Sequence, residues 1–190
     1  MTGARRLSQA IAEGDGISVL AEVGDAAGAK AAKAQGAEGL VLRGKAAGLR
    51  ESTDLPLLAF GLASEAGDVD ALVVDADGQR DNLDEIVEAA HARGLECVFR
   101  VRDEDELEKV LELVDPEILL LSAEEADDGQ DHLERLLELL PDIPAGKLAI
   151  AELPGASRDD VLELERAGVD AVIVSGSDVG SLVGDTLPDV

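Results

Sequence analysis

The chain has 190 residues, 46% of them hydrophobic, which is enough for one well-buried core, and no low-complexity tract marks it as disordered. Its 42 acidic residues outnumber 16 basic ones, and the formal charge of -26 repels nucleic acid, anionic membrane surfaces and other polyanions. The acids are spread over nearly every helical segment rather than gathered in a tail, which describes a uniformly solvated surface; adaptation to high salt, where self-repulsion is screened, is one reading of it.

The opening "MTGARRLSQAIAEGDG" has two arginines but no long apolar region, so residues 1–16 read as an N-terminal extension or helix and not as a signal peptide or membrane anchor. No apolar run approaches the roughly 20 residues of a membrane span, and a cytoplasmic protein is expected. Strand-like runs follow at 17–23 (ISVLAEV), 39–43 (GLVLR), 55–60 (LPLLAF), 70–76 (DALVVDA), 95–101 (LECVFRV), 117–122 (EILLLS), 147–152 (KLAIAE) and 170–176 (DAVIVSG), eight in all. Each is apolar at nearly every position. Only strands covered on both faces tolerate that, so a parallel sheet is implied.

Between these runs the alanine-rich segment 25–36 and the segments 80–94, 103–114, 128–140 and 157–167 are predicted helices. Leu83, Ile86, Val87 and Ala90 share one face of the second, and Gly94 stops it. Ser157 is the expected N-cap of the last, and Gly168 its stop. "GLASEAG" is too short for a crossover helix, "GKAAGLREST" allows only about two turns, and "DVGSLVGDTLPDV" leaves little room for a full eighth helix. The phrases "QGAEGLVL", "GDVDALVV" and "AGVDAVIV" repeat a glycine and an acid just before a strand. Eight such units predict an α/β fold: a compact (β/α)8 TIM-type barrel over residues 1–190, with shortened helices after strands 2, 3 and 8 and a C-terminal tail at 183–190. An open doubly wound sheet is the alternative, but "GDAAGAKAA" after the first strand lacks its dinucleotide-binding glycine pattern.

The carboxylates Glu22 and Glu152 end the near-repeats "LAEV" and "IAEL" at equivalent strand ends. Two acids at one barrel mouth suit acid/base work or a divalent metal; the alternative is that each is a solvated strand-end acid in an acidic chain or an ion-pair partner for Arg43 or Arg100. The loop "SGSDVGS", with Ser175, Gly176 and Ser177, is a candidate phosphate cradle, and Arg43 and Arg100 are candidate anion-binding cations. His91 and His132 fall on helices away from any strand end and read as surface residues. "SAEEADD" reads as a solvated acidic loop because it lacks calcium-loop spacing, and no metal or other cofactor is expected. Cys97, the single cysteine, reads as a small buried hydrophobe.

The strand sequences resemble the indole-3-glycerol phosphate synthases of tryptophan biosynthesis. "ISVLAEV" is similar to that family's first strand, "LPLLAF" to its third, "LECVFRVRDEDELEKVLEL" to its fifth strand and following helix, "IAELPG" to its seventh and "VDAVIVSGSDVGS" to its eighth. The resemblance covers residues 17 to about 182. It implies a lyase that ring-closes a carboxyphenylamino sugar phosphate with loss of carbon dioxide and water. It also implies a phosphate-ester site at the carboxyl ends of the strands, with Glu22 and Glu152 in catalytic positions. The family's two lysines fall on Gly24 and Phe60, its fifth-strand glutamate on Arg100, its sixth-strand asparagine on Ser122 or Ala123, and the serine after its seventh-strand glutamate on Leu153. The resemblance therefore implies a divergent member that binds a small phosphorylated molecule without the usual lysine mechanism. A non-catalytic structural or regulatory barrel is the alternative.

Overall fold

The computed structural model describes residues 5–44, 48–61, 67–75, 82–123, 131–175 and 179–182. Helix α1 (Arg6–Glu13) precedes β1 (Ser18–Glu22); then come α2 (Ala26–Ala34), β2 (Gly39–Leu42), a 3-10 turn (Arg50–Ser52), β3 (Leu57–Phe60) and β4 (Ala71–Asp75). The remainder alternates regularly: α3 (Leu83–Ala92), β5 (Glu96–Val101), α4 (Glu104–Leu113), β6 (Ile118–Ser122), α5 (His132–Leu139), β7 (Leu148–Glu152), α6 (Arg158–Ala167), β8 (Ala171–Ser175) and α7 (Val179–Leu182). All eight strands pair in parallel and in chain order, and β8 returns to β1 with Ser18 opposite Ala171 and Glu22 opposite Ser175. The barrel is closed, as the eight doubly buried runs require, and the open-sheet alternative is excluded. The shortened connections are where they were expected: among the described residues, a 3-10 turn after β2, no helix between β3 and β4, and a four-residue α7 after β8.

Period-two alternation sorts each strand into two apolar layers. Leu20, Val41, Leu58, Val73, Val98, Ile118, Leu120, Ile150 and Ile173 fill the barrel interior. Their neighbours Val19, Leu40, Leu57, Leu72, Phe99, Leu119, Ala151 and Val172 face outward, beneath helix residues such as Ala29, Ala90, Leu107, Leu136 and Leu164. Cys97 lies in that outer layer as expected, and burial pushes its thiol up to about 11.

The helix ends follow from their capping residues. Ser157 accepts from Asp160 N while the Asp160 carboxylate accepts from Ser157 N, a capping box that starts α6, and Gly168 at φ 99° stops it in the left-handed conformation that glycine adopts without a Cβ penalty. Asp103 caps α4 in the same sense, accepting from Glu106 N at 2.8 Å. The repeated acid before a strand has a physical purpose. Asp70, ahead of β4, accepts from Leu57 N of β3 at 2.9 Å, and Asp170, ahead of β8, accepts from Ala149 N of β7 at 2.8 Å. Each ties the start of its own strand to the preceding one.

The segment read as an extension has a defined place. Leu7 and Ile11, one turn apart on α1, join the interior cluster at the barrel end opposite the strand carboxyl termini, so α1 is a plug. Its first N–H groups have no local cap; Leu7 N and Ser8 N instead donate to the carboxylate of Glu96 at the start of β5, at 2.8 and 3.1 Å. Arg6 adds an ion pair with Asp70 at 3.0 Å.

With 42 acids against 16 basic residues, pairing cannot neutralise the surface. Thermal unfolding followed by circular dichroism is expected to shift upward by several degrees between low and molar salt as self-repulsion is screened. An unchanged midpoint would mean that the acids do not repel one another appreciably in the folded state.

Candidate active site at the barrel mouth

The last inward position of each strand, read off by period two, faces the carboxyl-end mouth. These positions are Glu22 on β1, Arg43 just after β2, Phe60 on β3, Asp75 on β4, Arg100 on β5, Ser122 on β6 and Glu152 on β7. Ser175 of β8 holds the register position beside Glu22. The candidate phosphate-loop residues Gly176 and Ser177 lie outside the described residues, as do positions 124–128 of the acidic loop.

Arg43 is the centre of the arrangement. Its Nε donates to Glu22 Oε2 at 2.8 Å, its Nη2 donates to Glu152 Oε1, and its guanidinium lies over the Phe60 ring, 4.3 Å from the centroid. One cation therefore joins strands one and seven across the mouth and rests on strand three, a combination of charge-assisted hydrogen bonds and cation–π contact that arginine suits. Burial works against the charge on Arg43, but the hydrogen bonds and charges of Glu22 and Glu152 outweigh it and raise its pKa further above the usual arginine value.

Glu152 is only 2% exposed and sits between two guanidinium groups, with Arg100 Nη2 3.3 Å from its Oε2. Arg100, itself buried, donates to Ser122 Oγ at 2.9 Å and comes within 3.9 Å of Asp75. Asp75 also accepts from Arg102, which pairs in turn with Glu106 at 3.1 Å. The chain Glu22, Arg43, Glu152, Arg100, Asp75, Arg102, Glu106 thus alternates in sign from β1 across the mouth to α4. Both carboxylates are ion-paired, Glu22 with Arg43 and Glu152 with Arg43 and Arg100.

Of the residues singled out from the sequence, Glu22, Glu152, Arg43 and Arg100 converge. His91 and His132 are exposed on α3 and α5. Asp75 was not recognised in the sequence. The signal was available, because Ala71, Val73 and Asp75 are successive inward positions of one strand. Among the described residues no group of three or more His, Cys, Asp or Glu gathers into a metal site. At Gly24 an added Cβ would meet nothing within 4 Å, so packing does not forbid a longer side chain there. A groove of about 630 Å3 opens on the barrel flank between α3 and α4, lined in part by Val87, Cys97, Phe99 and Leu113, and contains none of the mouth residues.

No protein-family model matches the chain. Curated relatives are indole-3-glycerol phosphate synthases: that of Variovorax paradoxus is 31% identical over 137 residues, covering 66% of this chain and 50% of the relative, and that of Shouchella clausii is 28% identical over 92 residues, covering 48% and 36%. The match thus spans half or less of the length of these relatives. Among solved structures, thiamine phosphate pyrophosphorylase from Pyrococcus furiosus superposes with a TM-score of 0.65 at 17% identity over 87% of this chain and 90% of that one. The N-acetylmannosamine-6-phosphate 2-epimerase from Clostridium perfringens gives 0.68 at 17% identity over 84% and 86%. At that identity the structural likeness carries the fold alone, while the sequence likeness carries the resemblance read from the strands. The chain is a closed (β/α)8 barrel similar in sequence to indole-3-glycerol phosphate synthases.

Proposed function

We propose that the barrel binds a small phosphate ester at its carboxyl-end mouth and does not perform decarboxylative ring closure by the lysine mechanism of the family it resembles. The observation that carries this reading is Arg43, a guanidinium suspended over Phe60 between Glu22 and Glu152. A cation with a planar set of donors suits an oxyanion. It does not suit proton transfer, because arginine stays charged at any pH at which the protein is folded. Ring closure with loss of water needs a general acid at the departing oxygen, and the positions that correspond to the family's lysines are Gly24 and Phe60. Arg100, Ser175 at the end of β8 and Gly176 and Ser177 after it are the other groups we assign to the phosphate ester.

Calorimetry with indoleglycerol phosphate and with glycerol 3-phosphate tests the binding half of this reading. Saturable heat that is lost in Arg43→Gln is the expected result. No heat with either ester would put the second reading, a non-catalytic structural or regulatory barrel, in its place. That reading is favoured by one observation: the mouth charges are already matched to one another from Glu22 through Arg43 and Glu152 to Arg100.

A further inference from the structure

Two carboxylates share Arg43, and they differ in how firmly they are held. Glu152 is 2% exposed and lies against a second guanidinium, that of Arg100, at 3.3 Å. Glu22 is 31% exposed, and Arg43, 34% exposed, is its ion-pair partner at 2.8 Å. If Glu152 let go of Arg43 it would remain a charge buried out of water, whereas Glu22 would return to solvent at little cost. The Nε edge of Arg43 is thus covered by a removable carboxylate and its Nη2 by a fixed one. An anion entering the mouth meets the Nε edge already occupied.

We propose that Glu22 is a specificity-determining residue that covers the ligand-binding edge of Arg43, so that an anion binds there only by displacing it. This rests on the reading that the mouth takes a phosphate ester, and it narrows the ligand class. A singly charged oxyanion offers Arg43 no more charge than Glu22 does and must also stay near the displaced carboxylate. A phosphate monoester carries close to two negative charges above its second pKa of about 6 and three acceptor oxygens, so it has an advantage that a diester or a carboxylate lacks. Glu22 in this role does not contact the ligand; it competes with it.

The competing expectation, that Glu22 helps bind or transform the ligand, predicts the opposite sign for the same substitution. Glu22→Gln keeps the shape of a partly exposed side chain and removes the charge. Calorimetry at pH 8 would compare the unmodified protein and Glu22→Gln with two probes, the monoester glycerol 3-phosphate and the monoanionic diester dimethyl phosphate. The expected result is tighter glycerol 3-phosphate binding by Glu22→Gln, about two- to fivefold, the factor that corresponds to removing an exposed ion pair. Measurable dimethyl phosphate binding is expected in Glu22→Gln and not in the unmodified protein. Equal or weaker monoester binding by Glu22→Gln would overturn the role given to Glu22 while leaving the phosphate-ester reading in place. Absence of binding by both proteins would overturn the phosphate-ester reading itself, and this inference with it.

Discussion

Glu152→Ala is expected to lower the unfolding free energy by about 3 kcal/mol, the low end of the range for breaking a buried ion pair from one side. The side chain is 2% exposed and stands between Arg43 and Arg100. Its removal takes from Arg100, whose side chain is 10% exposed, a counter-charge at 3.3 Å, while Asp75 stays at 3.9 Å. Arg43 keeps Glu22 and more solvent, which holds the loss to the low end. The same truncation at Glu22 is expected to cost under about 1 kcal/mol, because that carboxylate is 31% exposed and a surface pair contributes little. Urea unfolding of the two variants, read by circular dichroism, measures the contrast. Equal costs at both sites would mean that Glu152 is not the anchor of the mouth.

Leu7→Ala is expected to cost about 3 kcal/mol, in the lower half of the range for truncating a fully buried leucine. The reason lies in the closure of the barrel. Eight strands leave an apolar interior open at the end away from the mouth, and Leu7 and Ile11 of α1 close it among Leu20, Val41, Leu58 and Val98. Leu7 has no exposed surface. The helix is also latched from outside by Glu96 and Asp70, so a shortened side chain leaves a cavity rather than a relaxed packing. A midpoint unchanged in urea would show that α1 rests on the barrel without plugging it.

Much of this architecture is legible in the sequence because strands buried on both faces announce themselves as unbroken apolar runs. The capping residues Ser157 and Gly168 and the stop at Gly94 bound their helices for local reasons that need no tertiary context. The position of α1 is not local: its amphipathic face is written in Leu7 and Ile11, but which surface it covers depends on the closing of β8 onto β1. At the mouth, period two places Glu22, Arg43, Arg100 and Glu152 at one end of the barrel. It does not tell which carboxylate a long side chain will reach. Arg43, just after β2, reaches Glu152 on β7 with its guanidinium over Phe60, an arrangement set by side-chain packing. Asp75 is obscured in the sequence by the aliphatic run it ends, although its inward register follows from Ala71 and Val73.

The absence of a working general acid is the claim on which the proposed function stands, and a single continuous assay tests it. The carboxyphenylamino sugar phosphate substrate is incubated with the unmodified protein, and indole fluorescence is followed. The chain contains no tryptophan and no tyrosine, so the protein contributes almost no background to that signal. The expected rate is no greater than that of the substrate alone, since Gly24 and Phe60 supply no proton and Arg43 does not release one near neutral pH. A sustained, protein-dependent rise in indole fluorescence would contradict it.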